Sequence, residues 1–346
     1  MRTGRLLQKP LMYRLLAIGI LCIFFPVTAF SSDELLRGPG NWGGTGLMEI
    51  PSARVMPLDS CRIGVAQSDP YRWYYGAMSL LPGLEIGGRV TETLGVKDQD
   101  PKWSGYGNTK DKAFDLKYQL ITEGKYRPAV ALGIMDPHGT RKFASQYVAF
   151  SKEIYPFDFT VGMGNGRFGE KPLPSQGEGV KLEIFEDPKT WLSDAKIFWG
   201  IEFSPSEKLS MMLEYSPIEY HLQTSDSAQP RYFREAVPSK FNFGVRWRPV
   251  SWAEIDVTYQ RGEQFGAGIS TQFDIGNPVV PIYDAPCRER PADKILSCSE
   301  RIGKALSVSG FSSIGVRAEG DDLWIEAEND KYFHTPRAWG GDSRYY

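Results

Sequence analysis

The chain has 346 residues, a formal net charge of −2 and an aromatic content of 13%. The length allows one large or two ordinary domains, and the near-neutral charge excludes a basic nucleic-acid-binding protein. A mean hydropathy of −0.34, with no apolar run after residue 30 long enough to span as a helix, excludes a helical membrane protein.

Residues 1–29 read as a secretory signal peptide. Arg2, Arg5, Lys9 and Arg14 precede the apolar run Leu15–Phe25, and Val27-Thr28-Ala29 offers small residues for cleavage. Cys22 raises the alternative of a lipid anchor, but Leu21 is bulky where a lipobox needs a small residue. A glycine-rich segment, 30–60, follows. Its Pro51 and Pro57 break any long strand, so it is expected to form a short strand or to lie inward.

From residue 61 to 275 the pattern is strand after strand. Strands are expected at 61–69, 73–80, 84–94, 112–122, 128–136, 146–154, 157–165, 195–203, 209–217, 240–248, 253–261 and 265–274. Phe241, Phe243, Val245 and Trp247 alternate with Asn242, Gly244, Arg246 and Arg248, which gives one apolar and one polar face. Each run is about nine residues, the length a tilted strand needs to cross hydrocarbon.

The connections separate by length. Leu81–Gly83, Glu123–Arg127, Tyr155-Pro156, Ser204–Lys208 and Pro249–Trp252 are short; Gly95–Asp111, Pro137–Ser145, Gly166–Asp194 and Ile218–Ser239 are long. Short turns alternating with long loops are the habit of a transmembrane β-barrel with periplasmic turns and outer loops. The fold class expected is therefore mostly β, an antiparallel transmembrane β-barrel of about 12 strands in the outer membrane, in contact with its lipid. An even strand number places both ends on the periplasmic side. The long loops carry Trp103, Tyr106, Trp191, Tyr220 and Tyr232 outward.

The polar faces place Glu85, Arg89, Lys117, Glu202, Glu214, Arg246, Arg248, Glu254 and Asp256 in the lumen. Two readings follow: mutual salt-bridging in a plugged or narrow barrel, or a polar path for a hydrated polymer.

After residue 275 the character changes. A proline-rich linker, 276–291, leads to an incomplete α/β region, 292–346, with a helix over Ala292–Ser309 and strands at Ile314–Glu319 and Leu323–Asn329. This unit cannot bury its apolar side alone. Cys287 and Cys298 are expected to form a disulfide in an exported chain, contributing about 3 kcal/mol in the chain-entropy view. Cys61 is left as a small buried apolar residue. Three scattered histidines and no C-x-x-C give no metal site, and no cofactor is indicated.

Gly164-Asn165-Gly166-Arg167-Phe168-Gly169 matches the dinucleotide G-x-G-x-x-G, but KPLPSQGEG after it is no helix, so it reads as a loop. No G-x-S-x-G or H-E-x-x-H is present, and His138 stands alone in a turn-rich loop.

Several segments resemble the YjbH family: Gly46–Arg54, Leu84–Arg89, Tyr106-Gly107, Lys110–Tyr118, Gly139-Thr140, Phe143–Lys152 and Phe157–Gly162. The resemblance implies an outer-membrane barrel that takes part in exopolysaccharide or capsule assembly or export, with no catalysis. Its implied partners are surface polysaccharide and periplasmic or inner-membrane export proteins. Family members continue through an α/β region into a second barrel-like half; this chain resembles that region at Glu326–Asn329 and Tyr332, and then looks truncated. Two rivals stand beside this reading. A secreted β-rich glycan-active enzyme needs a cleft with two placed carboxylates, and a general porin needs a wide open lumen.

Overall fold

The computed structural model describes residues 37–97, 105, 107–174, 180, 182–275, 296–319 and 322–329. The expected signal peptide and linker lie outside these residues. Twelve strands form the wall: β1 (Ser60–Ser68), β2 (Tyr71–Leu81), β3 (Leu84–Lys97), β4 (Asn108–Ile121), β5 (Ala129–Met135), β6 (Ser145–Ile154), β7 (Phe157–Gly169), β8 (Ala195–Ser206), β9 (Leu209–Tyr215), β10 (Phe241–Val250), β11 (Ala253–Gln260) and β12 (Gln264–Asp274). Each pairs antiparallel with its sequence neighbours, and β1 pairs with β12 over Ser60↔Asp274 to Ser68↔Gly266, which closes the barrel.

Period-two alternation decides which side each residue takes. On β10, Phe243 and Trp247 are about half exposed (53% and 50%), while Arg246 between them is fully buried. The same outward apolar rows appear at Ile63 and Val65 on β1, Phe157 and Phe159 on β7, and Ile269 on β12. A one-residue slip would turn every charge outward and every aromatic inward, so the register is strongly fixed. A closed barrel with an apolar outer ring is stable in a bilayer and not in water. The protein is an outer-membrane β-barrel. Cys61, expected to be buried, sits instead on this outward side and is half-buried, because its neighbours Ser60 and Arg62 take the inner positions.

The connections divide as their lengths predict. Turns at 82–83, 122–128, 155–156, 207–208 and 251–252 share one rim with the roots of both terminal arms. There, Ile275 N donates to Asp59 O at 2.8 Å. The long loops 136–144, 170–194 and 216–240 share the other rim. The G-x-G-x-x-G stretch belongs to β7 and is not a loop: the strand continues to Gly169 and carries the buried Arg167 inward.

Beyond the barrel, a helix over Cys298–Ser309 starts at a capping box of Ser297 with Glu300 and ends at Gly310 in the left-handed region. It packs Ile302 and Leu306 on a hairpin of β13 (Phe311–Glu319) and β14 (Asp322–Asn329), against Phe311, Ile314 and Ile325. Cys298 has a free, exposed thiol, and its expected partner Cys287 lies outside the described residues.

Candidate functional site

The lumen is not empty. Residues 37–58 enter it from the short-turn rim, fold back twice through bridges Pro39↔Thr45 and Gly46↔Pro51, and rejoin the wall at β1. Small residues make this possible. At Gly43, with φ +94°, a Cβ would stand 2.6 Å from the Tyr75 side chain. At Gly46 it would stand 2.5 Å from the Ile50 carbonyl oxygen.

A plug with little regular structure carries many unpaired backbone groups, and the wall supplies their partners. Glu214 accepts from three successive plug amides, Met48 N at 2.9 Å, Glu49 N at 2.8 Å and Ile50 N at 3.3 Å, and from Asn242 Nδ2 at 2.8 Å. Glu85 accepts from Thr45 N at 2.7 Å, Thr45 Oγ1 at 2.6 Å and Met56 N at 2.9 Å, and pairs with Lys117 at 3.1 Å. Lys117 Nζ also donates to Thr45 O at 2.7 Å. Arg246 donates to Pro39 O at 2.5 Å and Leu47 O at 3.2 Å. Its charge is met by Asp256 at 2.9 Å and by Glu202 and Glu254 at 3.5 Å. Charge flows the other way at Arg54, a plug residue held in a two-point fork by Asp158 at 2.8 and 2.9 Å and by Glu123.

All nine expected lumen residues therefore touch the plug or one another. Among the described residues Glu214 pairs with no arginine, contrary to a simple salt-bridge lining, because backbone amides of the plug occupy it. Arg248, nearer the rim, bonds Glu254 at 2.8 Å. Arg89 pairs with Asp115 and lies 5.1 Å from the Trp42 ring. The gaps found between plug and wall among the described residues are small. A gap of about 40 Å³ lies beside Glu85, Lys117 and Tyr147, and two of about 10 Å³ lie elsewhere along the plug. That is room for a few waters, not for a sugar chain.

The outer mouth is sealed separately. Arg167 of β7, fully buried, lies within 6 Å of four rings: Trp42 of the plug, Tyr71 of β2, Phe143 of loop 136–144 and Tyr220 of loop 216–240. Its carboxylate partner is Asp226 of the same long loop, at 2.7 Å, which also accepts from Tyr71 Oη. Arg261 reaches plug Glu49 at 3.4 Å, Ser68 Oγ at 2.6 Å and Tyr220 Oη at 3.3 Å. Glu49 accepts from Tyr220 Oη and from Asn242 Nδ2.

Among the expected outer-loop aromatics, Tyr220 turns inward into this seal, and Trp191 is buried with Nε1 donating to Gln146 O at 3.1 Å. Tyr232 is exposed, with its hydroxyl on Leu94 O at 3.0 Å. Trp103 and Tyr106 lie outside the described residues. The sealing residues Arg167, Arg261, Asp226, Phe143 and Glu49 were not singled out from the sequence. Arg167 lies inside an apparent loop motif, Arg261 is the last residue of an expected strand, and the other three sit in stretches without periodicity.

The family model described as "Exopolysaccharide biosynthesis protein YbjH" matches residues 39–344, from the first turn of the plug to beyond the terminal hairpin. The chain belongs to the YjbH family. It is 29% identical over 349 residues to the Escherichia coli (strain K12) protein named "Uncharacterized lipoprotein YjbH", covering 94% of this chain and 48% of that one. The chain thus spans about half the length of this curated YjbH relative. Among solved structures, the KdgM porin aligns at a TM-score of 0.34 with 7% identity, over 62% of this chain and 98% of that one. The COG4313 outer membrane channel from Pseudomonas putida F1 aligns at 0.31 with 8% identity, over 66% of this chain and 100% of that one.

Proposed function

We propose that this protein is an outer-membrane component of exopolysaccharide or capsule assembly and export, closed at rest by its own N-terminal segment. Family membership supports the polysaccharide. The single observation that carries the closed state is the plug: residues 37–58 fill the lumen and leave gaps of about 40 Å³ or less among those described. Polymer passage then requires the plug to move. The partners are surface polysaccharide and periplasmic or inner-membrane export proteins, and the outer membrane lipid is the barrel's solvent.

A general porin is favoured less, because its work needs a standing open lumen. A glycan-active enzyme is also favoured less. The lumen carboxylates Glu85, Glu202, Glu214, Glu254 and Asp256 are committed to backbone amides, hydroxyls or guanidinium groups of this chain. The role proposed is non-catalytic.

Two experiments test this. A deletion strain is expected to lose or alter its surface polysaccharide, and unchanged polymer would overturn the role. Purified full chain in planar lipid bilayers is expected to be silent; a steady porin-like current in the unmodified chain would overturn the closed state.

A further inference from the structure

The plug and the outer seal are two closures, and the residues between them are shared. Trp42 is a plug residue, yet its ring forms one wall of the pocket around Arg167, together with Phe143 and Tyr220 of two outer loops. Glu49 is a plug residue, yet it is the carboxylate facing Arg261 and the acceptor for Tyr220 Oη. Phe233 of loop 216–240 stacks on Tyr71 and Tyr220 in the same cluster. If the plug leaves, Arg261 loses its carboxylate, Tyr220 loses its acceptor, and Arg167 loses a ring. A buried cation deprived of its anion is strongly disfavoured.

The exit direction is also set. Arg37 O is held by Arg62 on β1, and Arg54 by Asp158 and Glu123, all near the short-turn rim. Trp42, at the far tip, lies under the outer loops. Both ends of the plug are thus on the periplasmic half and its tip on the outer half.

We infer that residues 37–58 and loop 216–240 form one coupled gate, in which the plug withdraws toward the periplasm and its departure unseals the outer mouth. This rests on the proposed mobility of the plug, not on the identity of the polymer. The coupling works through Arg167 and Arg261, which bind both closures and belong to neither. Linkage makes it reciprocal: loosening either closure loosens the other by the same factor.

The test uses the full chain in outer membranes and a polar maleimide, with labelling resolved by peptide mass. Ser52→Cys reports the plug and Ala228→Cys reports the loop; both parent residues are buried. Glu85→Ala breaks a plug latch remote from the loop. Asp226→Asn weakens the loop seal without touching the plug. Each is expected to raise labelling at both reporters, on the order of tenfold. Heat-modifiable mobility checks folding. Should Glu85→Ala lose that shift, Thr45→Val makes a milder break in the same latch. If Glu85→Ala exposes residue 52 while residue 228 stays protected, the coupling is wrong and the mobile plug survives. If Asp226→Asn exposes 228 alone, the coupling fails equally. If neither reporter responds in any folded variant, the plug is a fixed part of the wall, and the proposed opening falls with the inference.

Discussion

Glu214 is the place where one side chain holds three successive amides of the plug. Its two oxygens accept from three consecutive amides, at 2.8 to 3.3 Å, and from Asn242. Hydrogen bonds to a charged partner contribute about 1.5–3 kcal/mol each, and a buried amide left without a partner costs about 1–3 kcal/mol. In Glu214→Ala the missing side chain leaves space that water can enter, which favours the low end. Three amides then give a loss of about 4 kcal/mol for the docked plug, or a factor of about 10³ in its equilibrium. Glu214→Gln keeps one acceptor oxygen but turns an amide N–H₂ toward donors, so it falls between. The assay is the maleimide reactivity of Ser52→Cys in folded protein, which reports the withdrawn population. The expected order is wild type, then Gln, then Ala, with Ala faster by about 10³. If Glu214→Ala keeps its heat-modifiable mobility and leaves residue 52 as protected as before, Glu214 does not hold the plug.

Other expectations are smaller in scope. Val245→Arg puts a cation on the outward face, where Arg costs about 2–4 kcal/mol at the midplane. Folding into vesicles should fall by at least tenfold, while Arg246→Gln, an inward change next door, should insert and loosen the plug instead; the opposite result means the faces are swapped. An Ala53→Cys/Ser151→Cys pair is placed where plug and wall meet, Ala53 N donating to Ser151 Oγ at 2.9 Å. Its oxidised form should block polymer export and its reduced form restore it; export unaffected by the bridge would show that the plug need not move. Asp136, the first loop residue after β5, accepts from Phe143 N at 2.9 Å, and burial pushes its carboxyl up from 3.8 to about 6. An acid raised in the folded state binds its proton more tightly there. Loop 136–144 should therefore lose stability as pH rises from about 4 to about 6, by on the order of 3 kcal/mol, and Asp136→Asn should abolish that slope in hydrogen exchange.

The wall was legible because alternation is a local signal. Phe241–Arg248 announces its own faces whatever it packs on, and the lengths of the connections announce the two rims. The lumen side of Glu85, Lys117 and Arg246 followed from the same period. What period two does not carry is the partner. Glu214 reads as one more inward acid until the plug is in place, and the plug has no periodicity because its backbone is satisfied partly by its own irregular turns and partly by side chains, not by a regular ladder. The inward turn of Tyr220 was illegible for a related reason. A loop aromatic is drawn wherever a cation and other rings can bury it, and Arg167 and Arg261 lie far from it in sequence.

The folded-back course of residues 37–58 bears on how the barrel is assembled. A segment that passed from one rim to the other would have to be threaded, and the wall could be sealed only around it. This one starts and finishes in the same half, so it is an inserted, folded-back segment and leaves the described residues free of any entanglement. The β1–β12 seam can therefore zip shut before the segment is seated. It can also stay shut when the segment is drawn out, and no strand of the wall has to part.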